Sequence, residues 1–394
     1  MSAECETPGV KREAPVIMMI AGEISGDTHA ARVASEILRQ RPGTTLFGAG
    51  GPAMKAAGVE LLLDLTEHAV VGLTDVLANY AKFRRLFWQL VRAAEQRKPD
   101  AVILTDYPGF NLRFAKQMKA RGIPVFYYIS PQVWAWGRDR VKKIPELVDL
   151  MMVVFPFEKD FYREHAPALR VEFVGHPVME QLGCERREIK REENLVALLP
   201  GSREAEVEHI LPPMLGAAWL LRRERPELRF EVAAASEKVA ALARTLAQGE
   251  PVEVRVGGAR ELMQRAAAGM VASGTATLQS AFFGLPYVLV YRVSWLTYVV
   301  ARWLVTVRHL GIVNVMAGRE IVPEFIQQRA RPELLASAVA GLLGDRARRE
   351  RMQREMAGAM AALEGERAAE RAAAVALAAL DAAIAGRRGT EIQN

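Results

Sequence analysis

Pro124-Val125-Phe126-Tyr127-Tyr128-Ile129-Ser130-Pro131-Gln132-Val133-Trp134-Ala135-Trp136, followed by Arg138, Arg140, Lys142 and Lys143, is the stretch on which the fold turns. Its first five residues form an apolar run of strand length. A proline, a glutamine and two tryptophans two residues apart come next, beside four cations. Indoles buried for stability alone rarely come with such neighbours. Ser130, Gln132, Trp134 and Trp136 therefore read as a ligand rim at the carboxyl edge of a strand. The competing reading is a Trp-rich turn that closes a core, since tryptophan is highly buried on average.

The same unit, an apolar run ending in a chemistry-rich turn, recurs along the chain. Val16–Ile20, Ala101–Leu104, Leu150–Val154 and Val171–Val174 accompany Pro124–Tyr128 in the first half. Val196–Leu199, Phe230–Ala234, Val252–Val256, Met270–Ala272 and Tyr287–Val290 continue the rhythm in the second. Strands separated by helical patterns of ten or more residues imply parallel sheets with right-handed crossovers. At 394 residues the chain exceeds one core. The expected fold class is thus α/β, with two doubly wound, Rossmann-like domains facing across a cleft. The expected organisation is a disordered tail at 1–14, an amino-terminal domain at 15–182, a carboxyl-terminal domain at 183–356 and an Ala-rich helical tail at 357–394. The charged, non-periodic segment Gln181–Glu193 is the linker.

Composition excludes several classes. Hydrophobic residues at 51% and charged residues at 25% fit an ordinary globular protein, and a formal net charge of +6 favours anionic partners. Cys5 and Cys184 do not form a disulfide framework, which suits a reducing compartment. The first residues lack the pattern of a secretion signal. Leu285–Val307 is the most lipid-like stretch, but it contains Arg292 and Arg302. Each would cost roughly 2.5–3.5 kcal/mol near a bilayer centre, so no spanning helix is expected.

In open α/β sheets, ligands bind beyond the carboxyl ends of strands. Glu23, Ser25, Gly26 and Asp27 follow the first strand; Asp106 and Asn111 follow Ala101–Leu104. Gly201, Ser202 and Arg203 follow Val196–Leu199, and Ser273, Gly274, Thr275 and Ala276 follow Met270–Ala272. Ser273–Thr277 is a hydroxyl-rich turn opening a helix, where free N–H groups and the helix dipole favour phosphate; simple N-capping is the alternative. Gly201–Arg203 repeats that arrangement with a guanidinium suited to bidentate phosphate contact. Two such turns suggest a diphosphate. Gly22–Asp27 is not G-x-G-x-x-G and no P-loop lysine pattern occurs, which weakens NAD and ATP readings.

Asp106, two residues past an apolar strand, suits a cleft carboxylate that accepts a hydroxyl proton, or else one that holds the turn before a helix at Phe110. Glu23 and Asp27 form a second carboxylate pair, with Asp27 equally readable as the cap of a helix Thr28–Arg39. The six histidines never fall at ligand spacing and no D-x-D pair is present, so neither metal nor cofactor is expected. The pattern Leu73–Arg92 is a basic amphipathic helix with Lys82, Arg84, Arg85 and Arg92. It suits either an anionic membrane surface or an ordinary half-buried position. Val293–Val307, with Trp295, Tyr298 and Trp303, is a second candidate for lipid contact.

Together these motifs resemble the lipid-A-disaccharide synthase family. The likeness is carried by Ala21–Asp27, Gly48–Pro52, Asp106–Asn111, Tyr128–Lys143, Phe173–Pro177, Leu198–Arg203, Ala272–Leu278, Val290–Ala301 and Asn314–Pro323. It spans about Val16 to about Leu343, and Ser130–Trp136 and Asn314–Glu320 are its most specific parts. The resemblance implies a GT-B glycosyltransferase, a hexosyltransferase of lipid A and lipopolysaccharide biosynthesis. It would condense UDP-2,3-diacylglucosamine with 2,3-diacylglucosamine 1-phosphate, with inversion, to give the lipid A disaccharide phosphate and UDP. By this resemblance Asp106 is the base for the acceptor 6-hydroxyl, and Glu23, Ser25 and Asp27 form an active-site loop. Arg203, Ser273, Gly274, Thr275 and Ala276 face UDP, and Asn314, Arg319 and Glu320 belong to a cleft segment, Asn314 being counted with Asp106 and Glu23 among the catalytic residues. Gln279 stands where the family frequently has Glu, and is expected at a ribose hydroxyl without the charge. Gly109 stands where an acidic residue is often found, leaving Asp106 the sole carboxylate of its motif.

The implied location is cytoplasmic, peripherally associated with the inner membrane, in a pathway feeding the Gram-negative outer membrane. A homodimer stays open. Another UDP-sugar enzyme, such as a 2-epimerase or a glycosyltransferase with a soluble acceptor, would explain the diphosphate turns but not the basic apolar helix. A nucleic-acid partner is disfavoured because the basic residues are dispersed and the motifs sit at strand ends.

Overall fold

The computed structural model describes residues 14–66, 80–136, 138–295, 298–299, 307–363 and 367–392. The expected tail at 1–14 lies almost wholly outside them, as do residues 73–79 of the expected amphipathic helix and Trp303. The chain divides into two compact units. Unit 1 comprises Met1–Val133, Arg138–Pro177 and Gly365–Asn394; unit 2 comprises Trp134–Gly137 and Val178–Glu364.

Unit 1 is built on seven strands: β1 (Val16–Ala21), β2 (Thr45–Gly50), β3 (Glu60–Asp64), β4 (Ala101–Thr105), β5 (Val125–Tyr128), β6 (Leu150–Val153) and β7 (Arg170–Phe173). Their order is β3-β2-β1-β4-β5-β6-β7 and every pair is parallel. The continuous apolar run of β1 follows from coverage on both faces. Ile17, Met19 and Ala21 enter one core cluster, and Met18 and Ile20 enter the other.

Unit 2 has six parallel strands: β8 (Glu192–Leu199), β9 (Arg229–Ala234), β10 (Val252–Val256), β11 (Ala266–Ala272), β12 (Tyr287–Tyr291) and β13 (Glu324–Ile326), in the order β10-β9-β8-β11-β12-β13. In each sheet the winding direction reverses once, between β1 and β4 and between β8 and β11. These switch points are where α/β sheets place ligands. The turns after β1, β4, β8 and β11 are those carrying Glu23, Asp106, Arg203 and Gly274.

Ten of the thirteen strands follow the apolar runs. Of the other three, β2 carries three small residues at its end, β3 is a short leucine run between Glu60 and Asp64, and β13 has only three residues. In β2, a Cβ on Gly48 would lie 1.9 Å from the Met19 carbonyl oxygen, so the close approach of β1 demands glycine there. The expected tail at 357–394 takes in the end of helix Arg346–Ala361, which belongs to unit 2, and helix Ala368–Ile392, which belongs to unit 1. Ala369, Ala372, Ala373, Ala376, Leu377 and Leu380 share a core cluster with Ala30, Val33, Ala34 and Ile37 of helix Ile24–Gln40. Small side chains let the two helices approach closely. Arg41 clamps the pair through both terminal nitrogens to Asp381, at 2.8 and 2.6 Å.

Candidate active site

Asp106 ends β4 in a left-handed conformation (φ 48°), and Tyr107 beside it is left-handed too (φ 47°). Two successive non-glycine residues in this region are strained and persist only where their surroundings hold them. Four anchors do so. The Asp106 amide donates to the Tyr128 carbonyl at 2.9 Å. Its carbonyl accepts from Tyr127 Oη at 2.6 Å and from Asn111 Nδ2 at 2.7 Å; the same Nδ2 donates to the Thr105 carbonyl at 3.1 Å. The fourth anchor is steric. A Cβ on Gly22 would fall 2.2–2.6 Å from the Tyr107 ring, so the loop after β1 cradles that ring because residue 22 has no side chain. The Tyr107 ring also stacks on Phe110, the centroids 5.9 Å apart.

The result is an aspartate whose backbone is fixed and whose carboxyl is partly withdrawn from water. Burial raises its pKa above the usual carboxylate value, and the charge of exposed Glu23 raises it further, against a hydrogen bond from the Tyr107 backbone. A raised pKa makes the Asp106 carboxylate a stronger base. Beneath it, Thr105 Oγ1 and Asn111 Oδ1 are buried with no partner among the described residues. A Cβ on Gly109 would meet nothing within 4 Å, so the missing acidic residue leaves open space.

The rest of the first loop divides. Helix Ile24–Gln40 starts four residues earlier than the sequence suggests, so Asp27 lies in its first turn and does not cap it. The Asp27 carboxylate, 3% exposed, instead accepts from the amides of Gly51, Ala53 and Met54 at 2.8, 2.9 and 3.1 Å. It caps the neighbouring helix Pro52–Ala56. Asp27 is thus a brace between two loops. Gly26 is buried, whereas Glu23, Ile24 and Ser25 are exposed. Close by, His29 and His176 are held neutral: burial, then Arg32, lowers His29 to about 4, and burial, then His29, lowers His176 to about 3.

The tryptophan stretch also divides. Trp134 is buried at 8% exposure, as the core-closing reading expects, whereas Trp136 is 39% exposed. Ser130 is buried and bonded to Tyr162 Oη at 2.8 Å, while Gln132 is exposed.

In unit 2 the two predicted phosphate turns differ. At the first, Glu206 Oε2 accepts from the amides of Ser202 and Arg203 at 3.1 and 3.3 Å, so the protein's own carboxylate occupies the donors. The Arg203 guanidinium stays largely exposed, 4.0 Å from Glu206. At the second, the amides of Gly274, Thr275 and Ala276 meet no acceptor among the described residues. The turn is locked from below, Thr277 donating through N and Oγ1 to the Gly274 carbonyl at 3.0 and 2.7 Å. Ser273 and Gln279 are half-buried beside it. Of the two, this turn alone leaves its amide donors open, as an anion would require.

Asn314 is fully buried and all its amide capacity is used within its loop. Nδ2 donates to the Val322 carbonyl and to Glu324 Oε1, both at 2.8 Å, and Oδ1 accepts from Ile321 and Val322. These bonds hold residues 321–324 in place around it. Arg319 and Glu320 are exposed, Arg319 paired with Glu355 at 3.2 Å. Glu206 and Glu324 went unnoticed in the sequence. Glu206 had a signal, an acid three residues into a helix, which is where a carboxylate reaches back to the turn.

Two parallel, doubly wound sheets, each reversing its winding once, define a fold of the GT-B type. The fold agrees with the UDP-GlcNAc 2-epimerase of Neisseria meningitidis (TM-score 0.56, 12% identity, 93% of this chain and 99% of that one). It agrees equally with CalG4, the calicheamicin glycosyltransferase (TM-score 0.54, 16% identity, 95% and 99%). Sequence narrows the class. The family model for lipid-A-disaccharide synthetase matches residues 17–379. The lipid-A-disaccharide synthase of Anaeromyxobacter sp. (strain K) is 44% identical over 344 residues, 85% of this chain and 89% of that one. That of Myxococcus xanthus is 42% identical over 348 residues, 86% and 90%. The chain belongs to the lipid-A-disaccharide synthetase family and is a glycosyltransferase.

Proposed function

We propose that the chain transfers 2,3-diacylglucosamine from its UDP ester to the 6-hydroxyl of 2,3-diacylglucosamine 1-phosphate, with inversion. The observation that carries the reading is the fixed, left-handed Asp106 with its raised pKa. Asp106 takes the hydroxyl proton as the new C–O bond forms, and Glu23 keeps it basic. The bond from the anomeric carbon to the diphosphate breaks, its electron pair leaving on UDP. The amides of Gly274, Thr275 and Ala276 and the Arg203 guanidinium receive that charge, with Ser202, Ser273 and Gln279 beside them. UDP is a good leaving group, so one in-line base and these donors suffice. No covalent sugar intermediate is needed. Arg319, Glu320, Ser25, Gln132 and Trp136 supply exposed contacts for the substrates.

The acyl chains require access to lipid. Helix Tyr80–Arg97 buries Leu90 and Val91 but exposes Lys82, Arg84, Arg85 and Arg92 with Trp88, which is 40% exposed. A basic face with an indole suits an anionic membrane surface. No helix among the described residues is long and apolar enough to cross a membrane.

The test supplies purified protein with UDP-diacylglucosamine and the acyl acceptor, and follows UDP and disaccharide. Expected is stoichiometric disaccharide, lowered at least about a hundredfold in Asp106→Asn. Equal turnover of unacylated sugars, or epimerised donor without acceptor, would favour the rival readings. A folded Asp106→Asn of normal rate would remove the base assignment.

A further inference from the structure

Unit 2 holds a second hollow, of about 350 Å³, apart from its two glycine turns. It lies beside the edge strand β13 and is lined by Arg308, His309, Arg319, Glu320, Glu324 and Arg329. Its chemistry is lopsided. The Glu324 carboxylate is buried and already receives three donors: Oε1 accepts from the Gly311 amide at 2.9 Å and from Asn314, and Oε2 accepts from the Leu310 amide at 2.9 Å. It closes the floor and offers little to a cation. Arg308 makes no hydrogen bond or ion pair among the described residues, and Arg329 only lies over the Phe325 ring at 5.8 Å. His309 Nε2 is buried without a partner there. A buried imidazole nitrogen without a partner, beside two guanidiniums without carboxylates, is unfinished in a way that an incoming group with several acceptor oxygens would complete. The remaining acid, Glu320, is exposed and can accept from hydroxyls. A bare phosphate would leave much of the hollow empty, which is within the range of small-molecule pockets.

We infer that this pocket receives a sugar phosphomonoester, Arg308, His309 and Arg329 holding the phosphate and Glu320 the sugar hydroxyls; this rests on the proposed function, in which it is the 1-phosphate of the acceptor. Asn314 and Glu324 then matter as positioning residues, because together they hold residues 310–311 and 321–322 around the pocket.

The experiment has two arms on the full chain. In the first, disaccharide formation is measured at saturating donor with 2,3-diacylglucosamine 1-phosphate and with phosphate-free 2,3-diacylglucosamine. Arg308→Ala and Arg329→Ala should each lower kcat/KM for the phosphorylated acceptor about 10- to 100-fold. They should leave the phosphate-free acceptor within about twofold and the donor KM unchanged, and Arg308→Lys should recover part of the loss. Equal losses on both acceptors, or a loss in donor KM, would overturn the inference, the latter assigning the pocket to the diphosphate. The second arm titrates glucosamine 1-phosphate, glucosamine and inorganic phosphate into wild type and both variants. Binding of glucosamine 1-phosphate alone, weakened in the variants, supports the pocket even if the wild type forms no disaccharide, a result that would defeat the proposed function by itself. Binding unaffected by the variants, no binding of glucosamine 1-phosphate, or equal binding of inorganic phosphate would overturn the inference.

Discussion

Gly22→Ala adds one methyl group to a loop 85 positions away from Tyr107 in the sequence, and it should disable Asp106. The new Cβ would stand 2.2, 2.5 and 2.6 Å from three ring atoms of Tyr107. Carbon atoms rest at roughly 3.5 Å or more, so the ring must retreat by about 1 Å. Its movement is restrained by Phe110, on which it stacks and which stacks in turn on Phe114. Overpacking of this kind costs about 1–3 kcal/mol. The more telling loss is kinetic. Tyr107 adjoins Asp106 in a strained two-residue turn, so moving the ring moves the base, and a displacement of about 1 Å can cost about a hundredfold. Urea unfolding and UDP-release rates should be measured for Gly22→Ala, Tyr107→Ala and the double variant. If the clash is the cause, Gly22→Ala destabilises the wild type but costs nothing further once Tyr107 is truncated, a coupling of about 1–3 kcal/mol. A coupling below about 0.5 kcal/mol, or a Gly22→Ala enzyme of normal rate, refutes the cradle.

Glu23→Gln should move the acid limb of the kcat/KM profile to lower pH. The Glu23 charge raises the Asp106 pKa, so removing it lets Asp106 ionise sooner; an unmoved or upward-shifted limb would break the electrostatic link. Because His29 and His176 sit far below their ordinary 6.5, the unfolded chain takes up protons first and stability falls as pH drops below that value, so a fold probe must accompany the profile. Sedimentation with anionic vesicles at low salt should recover the protein and lose it as salt rises, Trp88→Ala with Lys82→Glu and Arg85→Glu weakening recovery. Indifference of that triple variant would place any membrane contact elsewhere.

The apolar runs made both sheets legible because parallel strands buried on two faces need continuous hydrophobicity, and the turns after them follow from connectivity alone. Strand β2 escaped because its requirement is smallness, imposed by β1 lying 1.9 Å from where a Gly48 Cβ would be. Trp134 and Trp136 were one signal in sequence and are two environments in space, one buried and one exposed. Spacing alone does not resolve which side of a turn an indole takes.

A carboxylate close to a loop has two opposite uses, and residue type does not distinguish them. Asp27 and Glu206 fill the amide donors of a turn themselves, and Glu324 does so for residues 310–311. They act as internal anions, rigidifying the loops they hold while removing those donors from any ligand. Asp106 does the reverse: its backbone groups are held by others, and its carboxyl is left partly withdrawn from water with a raised pKa. The same logic separates the two glycine turns of unit 2. Where Glu206 follows, the donors are taken; at Gly274–Ala276 no acid follows within the helix Thr275–Phe282, and the donors stay open. An acid introduced at the corresponding place in the helix Thr275–Phe282 would close that turn, so the absence of a carboxylate there keeps its donors available.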